Sequence, residues 1–445
     1  MRKYTKGDVL PPVRPSDNRQ RFYSRFLTSS YLRHNILLLA TNIMAGAFSY
    51  LLHPFLGRMM GVSEYGQVAA LIALSLVLAT PAQIIATIAA KYASSLSMNE
   101  DFARLNDFIR RLTAILLTAG VCISVAFIAL SGYEAFFFHL TSQQGVILLD
   151  LTFIVSLGTP LNVGTLQGLQ RFRWFAAILF LPTFLRLVFC IGFVLLGLGV
   201  NGAILGIVVS SLLTYLVSFQ PLRRVLRGPR TPFGSLRSLW SYSLLATTAA
   251  AAIVLLYSID TVLARHYLSA QEAGLYAALA TIGKTVVLIT GSVTTVMFPR
   301  IAALYERRQP YMSVVVQAVA GVLLLSAAVE VAFYLFPSLV TKLLFGQTFI
   351  AIAGLLVPYG MAMLLLAVGS VLIYYFLAVG KSSFVPIIFL SCTLEISLIV
   401  WHHAGLAQLV QAVLITNLVL VLALLITFIL NTRRTTLTYH REERG

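Results

Sequence analysis

The stretch L-G-R-M-M-G-V-S-E-Y-G-Q-V-A-A-L, from Leu56 to Leu71, returns as L-A-R-H-Y-L-S-A-Q-E-A-G-L-Y-A-A-L, from Leu263 to Leu279. One residue is inserted in the second copy, and further basic positions repeat at a similar offset. The aligned pairs, separated by 207 to 210 residues, are Arg58 and Arg265, Glu64 and Glu272, Gly66 and Gly274, Lys91 and Arg300, and Arg171 and Lys381. Self-similarity at one offset along the chain predicts an internally duplicated protein.

The composition around these copies is that of a membrane protein. The chain has 445 residues, of which 59% are hydrophobic and 11% charged, and its mean hydropathy is +0.89. A membrane-spanning helix needs ~20 apolar residues, so this length accommodates about a dozen spans with short connections. The predicted apolar segments are 35–57, 66–90, 112–131, 145–168, 175–197, 202–221, 239–263, 273–298, 313–336, 351–378, 383–401 and 406–430. We therefore predict an all-α polytopic membrane protein of about twelve transmembrane helices.

Six predicted helices separate the two copies, and an even number gives both halves the same orientation. Two six-helix lobes are then related by a pseudo-two-fold axis along the membrane normal, an arrangement found in transporters with a site between the repeats. The predicted divisions are a basic tail (1–34) with a candidate interfacial helix, an N-lobe (35–221), a basic linker (222–238), a C-lobe (239–430) and a second basic tail (431–445).

The formal net charge of +17 suggests either nucleic acid or a membrane surface as partner, and the positions of the charges distinguish the two. With the N-terminus inside, 27 of the 32 cations fall in inner segments and three, Arg58, Arg265 and Lys342, in outer ones. Positive residues concentrate on the inner side of membrane proteins. We predict that both termini are cytoplasmic, that the protein lies in the cell membrane, and that it binds no nucleic acid.

Ionisable residues inside predicted spans are costly in lipid and mark functional sites. The remaining two cations are Arg186, midway along the fifth span, and Lys284, near the middle of the eighth. Two cations at similar depth in opposite lobes suit an anionic substrate, since phosphate matches the geometry of arginine. Asp260, Glu330 and Glu395 are candidates for proton or sodium coupling, for pairing with the cations, or for an interfacial position.

Motifs typical of enzymes fail in their context. Gly197 to Gly202 spells G-x-G-x-x-G but joins two apolar helices without a preceding strand, and the Walker-like run Ala278–Thr285 lies within a span. His402 and His403 lie at an outer turn without a partner at ligand spacing. We predict no catalytic residues, no metal site, no cofactor and no enzymatic activity.

Several motifs resemble those of polysaccharide flippases of the O-antigen type. The match begins with N-x-x-x-G-x-x-x-Y-L-x-x-P-x-L-G-R-x-x-G-V-x-E-Y-G, from Asn42 to Gly66. It continues with L-Q-G-L-Q-R-F (Leu166–Phe172), I-D-T-V-L-A-R-H-Y-L (Ile259–Leu268), A-G-L-Y-A-A (Ala273–Ala278), F-P-R (Phe298–Arg300) and L-L-F-G-Q-T-F (Leu343–Phe349). This family belongs to the multidrug, oligosaccharidyl-lipid and polysaccharide exporter superfamily.

The resemblance implies a MATE-like, V-shaped pair of lobes that flips polyprenyl-diphosphate-linked oligosaccharide to the outer leaflet. It implies diphosphate binding by cationic cavity residues, a role carried here to Arg58, Arg186, Arg265 and Lys284. Expected partners are the lipid-linked oligosaccharide, membrane lipids and glycan-assembly proteins. The alternatives are a multidrug or lipid II exporter on the same fold, and a membrane glycan polymerase or ligase, against which the short outer connections argue.

Overall fold

A computed structural model describes residues 17–80, 82–140, 142–233 and 244–442. Within these ranges all regular structure is helical, and each predicted apolar segment overlaps a helix. Ten helical stretches are long and apolar enough to cross a membrane, and Val385–Trp401 is a shorter apolar helix. The predicted all-α membrane fold is confirmed. The count of twelve spans stays a prediction, because the seventh segment begins at residue 239, outside the described residues.

The N-lobe contains ten helices, several of which are parts of one span. They are α1 (Asp17–Met60), α2 (Val62–Ala79), α3 (Ala82–Met98), α4 (Phe102–Phe137), α5 (Gln144–Leu151), α6 (Phe153–Ser156), α7 (Gly158–Gly168), α8 (Phe172–Leu195), α9 (Gly199–Ser218) and α10 (Arg223–Leu226). Segment 17–34 of the basic tail, including the candidate interfacial helix, is continuous with the first span in α1, and residues 1–16 lie outside the described part.

The C-lobe contains eight α-helices and a 3-10 segment, Gln347–Leu355, that leads into the tenth predicted span. The α-helices are α11 (Leu244–Tyr267), α12 (Ala270–Gly283), α13 (Thr285–Glu306), α14 (Met312–Leu335), α15 (Pro337–Leu344), α16 (Leu356–Ala378), α17 (Val385–Trp401) and α18 (Leu406–Glu442). Both second spans comprise two helices, α2 with α3 in the N-lobe and α12 with α13 in the C-lobe. The second pair is joined through a helical turn at Lys284.

The lobes meet where the two copies of the repeat lie. Helix α2 packs against α11 and α12, and the aligned glycines Gly66 and Gly274 touch at this crossing. A Cβ atom added at Gly66 would lie 2.8 Å from the Cα of Gly274, and one added at Gly274 would lie 1.9 Å from the carbonyl oxygen of Val62. Only glycine permits backbones to approach this closely.

We call the end of the bundle that carries Arg58, Gly66, Arg265 and Gly274 the closed end. The opposite end, which carries Arg104, Arg171 and Arg223, is the basic end. At the closed end the Tyr65 hydroxyl lies 2.9 Å from Thr281 Oγ1 in the other lobe. The Tyr65 ring is fully buried and contacts Phe345 and Phe349 of the C-lobe.

At the basic end the linker between the lobes is anchored to α4. The Asn106 side-chain amide donates to the Gly228 carbonyl at 2.8 Å, and Asp107 accepts from the Phe233 amide at 2.9 Å and from Arg230 at 3.1 Å. These contacts attach the first part of the predicted linker to the N-lobe, and residues 234–238 lie outside the described part.

Candidate functional site

A cavity of about 200 Å³ lies between the lobes, beneath the crossing of Gly66 and Gly274. Leu76 and Leu288, which line it farther along α2 and α13 from that crossing, are 44% and 49% exposed, whereas Tyr65 and Tyr276 near the crossing are fully buried. The cavity is therefore covered at the closed end and lined by exposed side chains farther from it. Its polar lining residues are Ser49, Tyr50, His53, Arg186, Tyr257, Ser258, Thr261, Thr281, Lys284 and Thr285.

Arg186 and Lys284, the two mid-span cations singled out from the sequence, both line this cavity. Arg186 enters it from α8 of the N-lobe. Lys284 enters it from the C-lobe at the junction of α12 and α13. The fold thus brings one cation from each lobe to a common space.

Lys284 is held by a buried network in the C-lobe. Its Nζ lies 3.0 Å from Asp260 Oδ1, donates to Thr261 Oγ1 at 2.9 Å, and lies 4.9 Å from the centre of the Tyr257 ring. Asp260 is fully buried, so it does not occupy the interfacial position considered from the sequence. It is the partner of Lys284, and pairing with the cations was one of the roles considered for it.

The other oxygen of Asp260 binds two tyrosines. Tyr359 of α16 donates to Asp260 Oδ2 at 2.5 Å and Tyr276 of α12 donates to it at 3.1 Å. Both tyrosines are fully buried. A buried carboxylate is tolerated only when its lone pairs are satisfied, and here both oxygens accept hydrogen bonds. The network connects three helices of the C-lobe around the Asp260 carboxylate.

Arg186 has a different environment. It is half-buried, and its Nε has no hydrogen-bond partner among the described residues. The neighbouring contacts of α8 are aromatic, since Phe180 and Phe184 pack on each other and on Phe48. A guanidinium group in such a setting offers unused donors to a ligand in the cavity.

His53 is a functional candidate that the sequence analysis missed. It lines the cavity from α1, and its Nδ1 lies 3.1 Å from the Tyr65 hydroxyl, which in turn contacts Thr281. A signal existed, because a histidine within the apolar run 35–57 satisfies the same criterion that selected Arg186. Two buried acids in the N-lobe, Glu134 and Asp150, were also missed; each has one oxygen without a described partner.

The structure does not bring Arg58 and Arg265 into the lining of this cavity. Arg58 is exposed and donates to the Leu344 carbonyl at 3.0 Å, the Lys342 carbonyl at 3.3 Å and the Leu343 carbonyl. Arg265 is 2% exposed and donates to the Phe138 and His139 carbonyls at 2.7 and 2.6 Å. Sequence alignment showed that the two arginines are equivalent but not which groups they bind.

Glu330 and Glu395 also lie outside the cavity lining. Glu395 on α17 is fully buried, and neither of its carboxylate oxygens has a described partner. Glu330 on α14 packs against the backbone of Gly360, beside Tyr359, and both of its oxygens are likewise without a described partner. Glu395 therefore does not occupy the interfacial position considered for it, and both acids are candidates to hold a proton.

The fold is that of a multi-pass membrane protein, and solved structures of transporters share it. The chain has a TM-score of 0.76 and 14% identity to an inward-facing multidrug resistance MATE family transporter, covering 90% of this chain and 98% of that one. The lipid II flippase MurJ in an inward closed conformation has a TM-score of 0.66 and 14% identity, covering 89% of this chain and 87% of that one. A transporter from Pyrococcus furiosus, described by the reverse polarity of its binding pocket, has a TM-score of 0.64 and 16% identity, covering 91% of this chain and 95% of that one.

Residues 55–354 match the family described as polysaccharide biosynthesis protein. The chain belongs to this family, and the resemblance inferred from its motifs is confirmed. No curated protein sequence matches the chain significantly. The protein is therefore a polysaccharide biosynthesis family member with the fold of MATE transporters and of the MurJ flippase.

Proposed function

We propose that this protein flips a polyprenyl-diphosphate-linked oligosaccharide from the inner to the outer leaflet by alternating access, for surface polysaccharide synthesis. The observation that carries the proposal is the entry of Arg186 and Lys284, from opposite lobes, into one cavity. A ligand held by both cations contacts both lobes, so its binding is linked to their relative position. Substrate contacts by Arg58 and Arg265 stay a prediction. Both guanidinium groups lie outside the cavity lining and donate to backbone carbonyls of the opposite lobe.

The chemistry of the cavity suits a diphosphate. Charged hydrogen bonds to phosphate oxygens contribute ~1.5–3 kcal/mol each, and the contribution increases where water is excluded. Hydroxyl groups of Ser49 and Tyr50 in the lining supply further donors. A cationic drug would instead meet two positive charges. The cavity therefore favours an anionic lipid head group over the cationic drugs of the multidrug alternative. Lipid II carries the same diphosphate, so only experiment distinguishes it from a lipid-linked oligosaccharide.

Asp260 competes with the substrate for Lys284. While Asp260 is ionised, the Lys284 ammonium is paired at 3.0 Å. Protonation of Asp260, or binding of a cation to it, would release Lys284 to the diphosphate. We therefore assign Asp260 to ion coupling, with Glu395 and Glu330 as further proton-binding candidates. The net charge of the head group adds a second driving force, ~2.3 kcal/mol per charge per 100 mV of inside-negative potential.

In this proposal the basic end faces the cytoplasm of a cell membrane, both termini are cytoplasmic, and the protein is not an enzyme. Flipping requires no covalent bond to change; it requires a polar cavity between lobes and lateral access for the prenyl chain. The proposed partners are the lipid-linked oligosaccharide, membrane lipids and glycan-assembly proteins.

The test combines transport with binding. In a host lacking the chromosomal copy, Arg186→Ala and Lys284→Ala are each expected to reduce surface glycan per molecule of inserted protein, and Arg186→Ala to do so at unchanged abundance. In purified protein, each loss should weaken binding of polyprenyl diphosphate about 10- to 100-fold. Arg173→Ala is the matched control, because Arg173 lies exposed on the same helix as Arg186. The double variant Asp260→Asn, Lys284→Met controls for stability, because it removes the cation and its buried counter-ion together.

Normal surface glycan in both single variants and in the Arg186→Ala, Lys284→Ala double variant would refute the anion site. Tight binding of ethidium with no binding of polyprenyl diphosphate would assign the cavity to cationic drugs. Loss of peptidoglycan precursor export with normal surface polysaccharide would identify a lipid II exporter.

A further inference from the structure

Arg58 and Arg265 each cap the C-terminal end of a helix in the opposite lobe. The carbonyls that accept from Arg58, those of residues 342, 343 and 344, form the last turn of α15. The carbonyls that accept from Arg265 belong to Phe138 and His139, directly after the end of α4. Arg58 thus joins the N-lobe to the C-lobe, and Arg265 joins the C-lobe to the N-lobe.

The two contacts are related by the internal repeat. Arg265 minus Arg58 gives an offset of 207, and the same offset carries Phe137 and Phe138 to Leu344 and Phe345. Phe138 and Phe345 are the C-terminal caps of α4 and α15. Each arginine therefore binds the equivalent helix end in the other lobe, as a pseudo-two-fold axis requires.

The acceptors of both arginines lie at the negative end of a helix dipole. The last four carbonyls of a helix have no partner within the helix, and they carry the negative end of its dipole. A guanidinium group presents several donors in one plane and so binds two or three such carbonyls together. Around Arg265 the lobes gain a second contact, because His266 stacks on Phe137 at 4.0 Å between ring centres and lies 2.8 Å, through Nδ1, from the Phe137 carbonyl.

We propose that Arg58 and Arg265 are a reciprocal pair of latches that hold the closed end shut and must release their helix ends when the cavity opens to that side. The inference rests on the alternating access of the proposed function, but not on the identity of the cargo. It assigns to these arginines the stabilisation of one conformation rather than the binding of substrate. The close crossing of Gly66 and Gly274 lies at the same end, so these two backbones must also separate when that end opens.

The latches are tested by measuring the distance between the lobes in purified protein without substrate. Spin labels at Gln143→Cys and Gln347→Cys, both exposed and one in each lobe at the closed end, report that distance by double electron-electron resonance. Cys122, which is exposed, is replaced by serine, and Cys190 and Cys392 are buried. Arg58→Ala and Arg265→Ala are each expected to raise the ratio of open to closed molecules about tenfold, and the double variant about a hundredfold.

Lys342→Ala is the matched control, since it removes an exposed cation at the same end while leaving the backbone carbonyl that Arg58 binds. Its distance distribution is expected to equal that of the parent. Arg265→Lys retains the charge but not the planar donors, and should raise the open population less than Arg265→Ala does. Because Arg58 is exposed, Arg58→Ala tests the latch even if the buried Arg265 variants do not fold.

An unchanged distance distribution in a folded, monodisperse Arg58→Ala protein would overturn the proposal. If the same variant also bound polyprenyl diphosphate more weakly, Arg58 would be assigned to substrate instead. Conversely, a shifted distribution in the variants together with normal diphosphate binding would establish the latches whatever the outcome for Arg186 and Lys284.

Discussion

The two lobes carry different charges at equivalent positions of the cavity. The offset of 207 residues places Asp260 of the C-lobe at His53 of the N-lobe, and an offset of 208 places Lys284 at Leu76. The equivalent residues Leu76 and Lys284 both line the cavity. His53 lines it as well, whereas its equivalent Asp260 lies behind Lys284. In the C-lobe a buried carboxylate pairs with the cation, whereas the N-lobe contributes Arg186, from a different helix.

This difference separates a charge that the protein satisfies from one that it leaves available. Lys284 has an ion pair and a hydroxyl partner within its own lobe. Arg186 has a donor without a described partner. A half-buried cation with an unsatisfied donor costs stability, and this cost is typical of binding sites. In the proposed function the N-lobe supplies the standing attraction for an anion, and the C-lobe supplies a cation whose availability depends on Asp260.

The largest expected effect comes from breaking the C-lobe pair. Asp260→Ala leaves Lys284 buried without its counter-ion and also removes the acceptor of Tyr276 and Tyr359, so it should lower the free energy of unfolding by ~3–5 kcal/mol. His53→Ala, at the equivalent N-lobe position, loses one neutral hydrogen bond and should cost ~1 kcal/mol. Thermal unfolding in detergent measures both. Equal losses would show that the two lobes do not differ in the way described.

A smaller effect is expected where the lobes are most alike. Gly274→Ala places a methyl group against the Val62 backbone and Gly66→Ala places one against the Gly274 backbone, so each should cost ~1–3 kcal/mol, the former more. Gly291→Ala is the control, because no atom lies within 4 Å of the added methyl group. If all three variants unfold at the same temperature, the lobes do not meet at this crossing.

The smallest expected effect is on Arg186. Arg186→Met removes a cation with an unsatisfied donor and keeps the apolar stem, so the free energy of unfolding should change by no more than ~1 kcal/mol, with stabilisation preferred. Lys284→Met should be clearly destabilising, because it leaves Asp260 unpaired. Thermal unfolding of the two variants side by side makes the comparison. A destabilised Arg186→Met would mean that Arg186 has a structural partner.

Much of the architecture was predictable from the chain alone. Helices, their approximate limits and the duplication follow from apolar runs and from the paired motifs at Leu56 and Leu263. Arg186 and Lys284 were selected because each interrupts a long apolar run. His53 was passed over although it does the same. The pairing of Asp260 with Lys284 was one of several roles considered, since 24 residues and a helix connection separate them.

The partners of Arg58 and Arg265 were the least accessible to sequence reasoning. Both were assigned to substrate because the family resemblance implies cationic cavity residues that bind diphosphate. Each instead contacts backbone carbonyls between 126 and 286 residues away along the chain. Backbone carbonyls carry no sequence signature, so no pattern of residue types indicates them as acceptors.

Apolar runs, paired motifs and family motifs were enough to predict a duplicated, all-helical membrane protein of the polysaccharide biosynthesis family with two cations in its spans. Hydrophobicity acts segment by segment, so each span is legible without its neighbours. Three features became visible only in the folded chain. Arg186 and Lys284 line one cavity, Asp260 forms an ion pair with Lys284, and Arg58 and Arg265 cap helices of the opposite lobe. These outcomes depend on which helix faces meet, and packing geometry rather than local composition determines that choice.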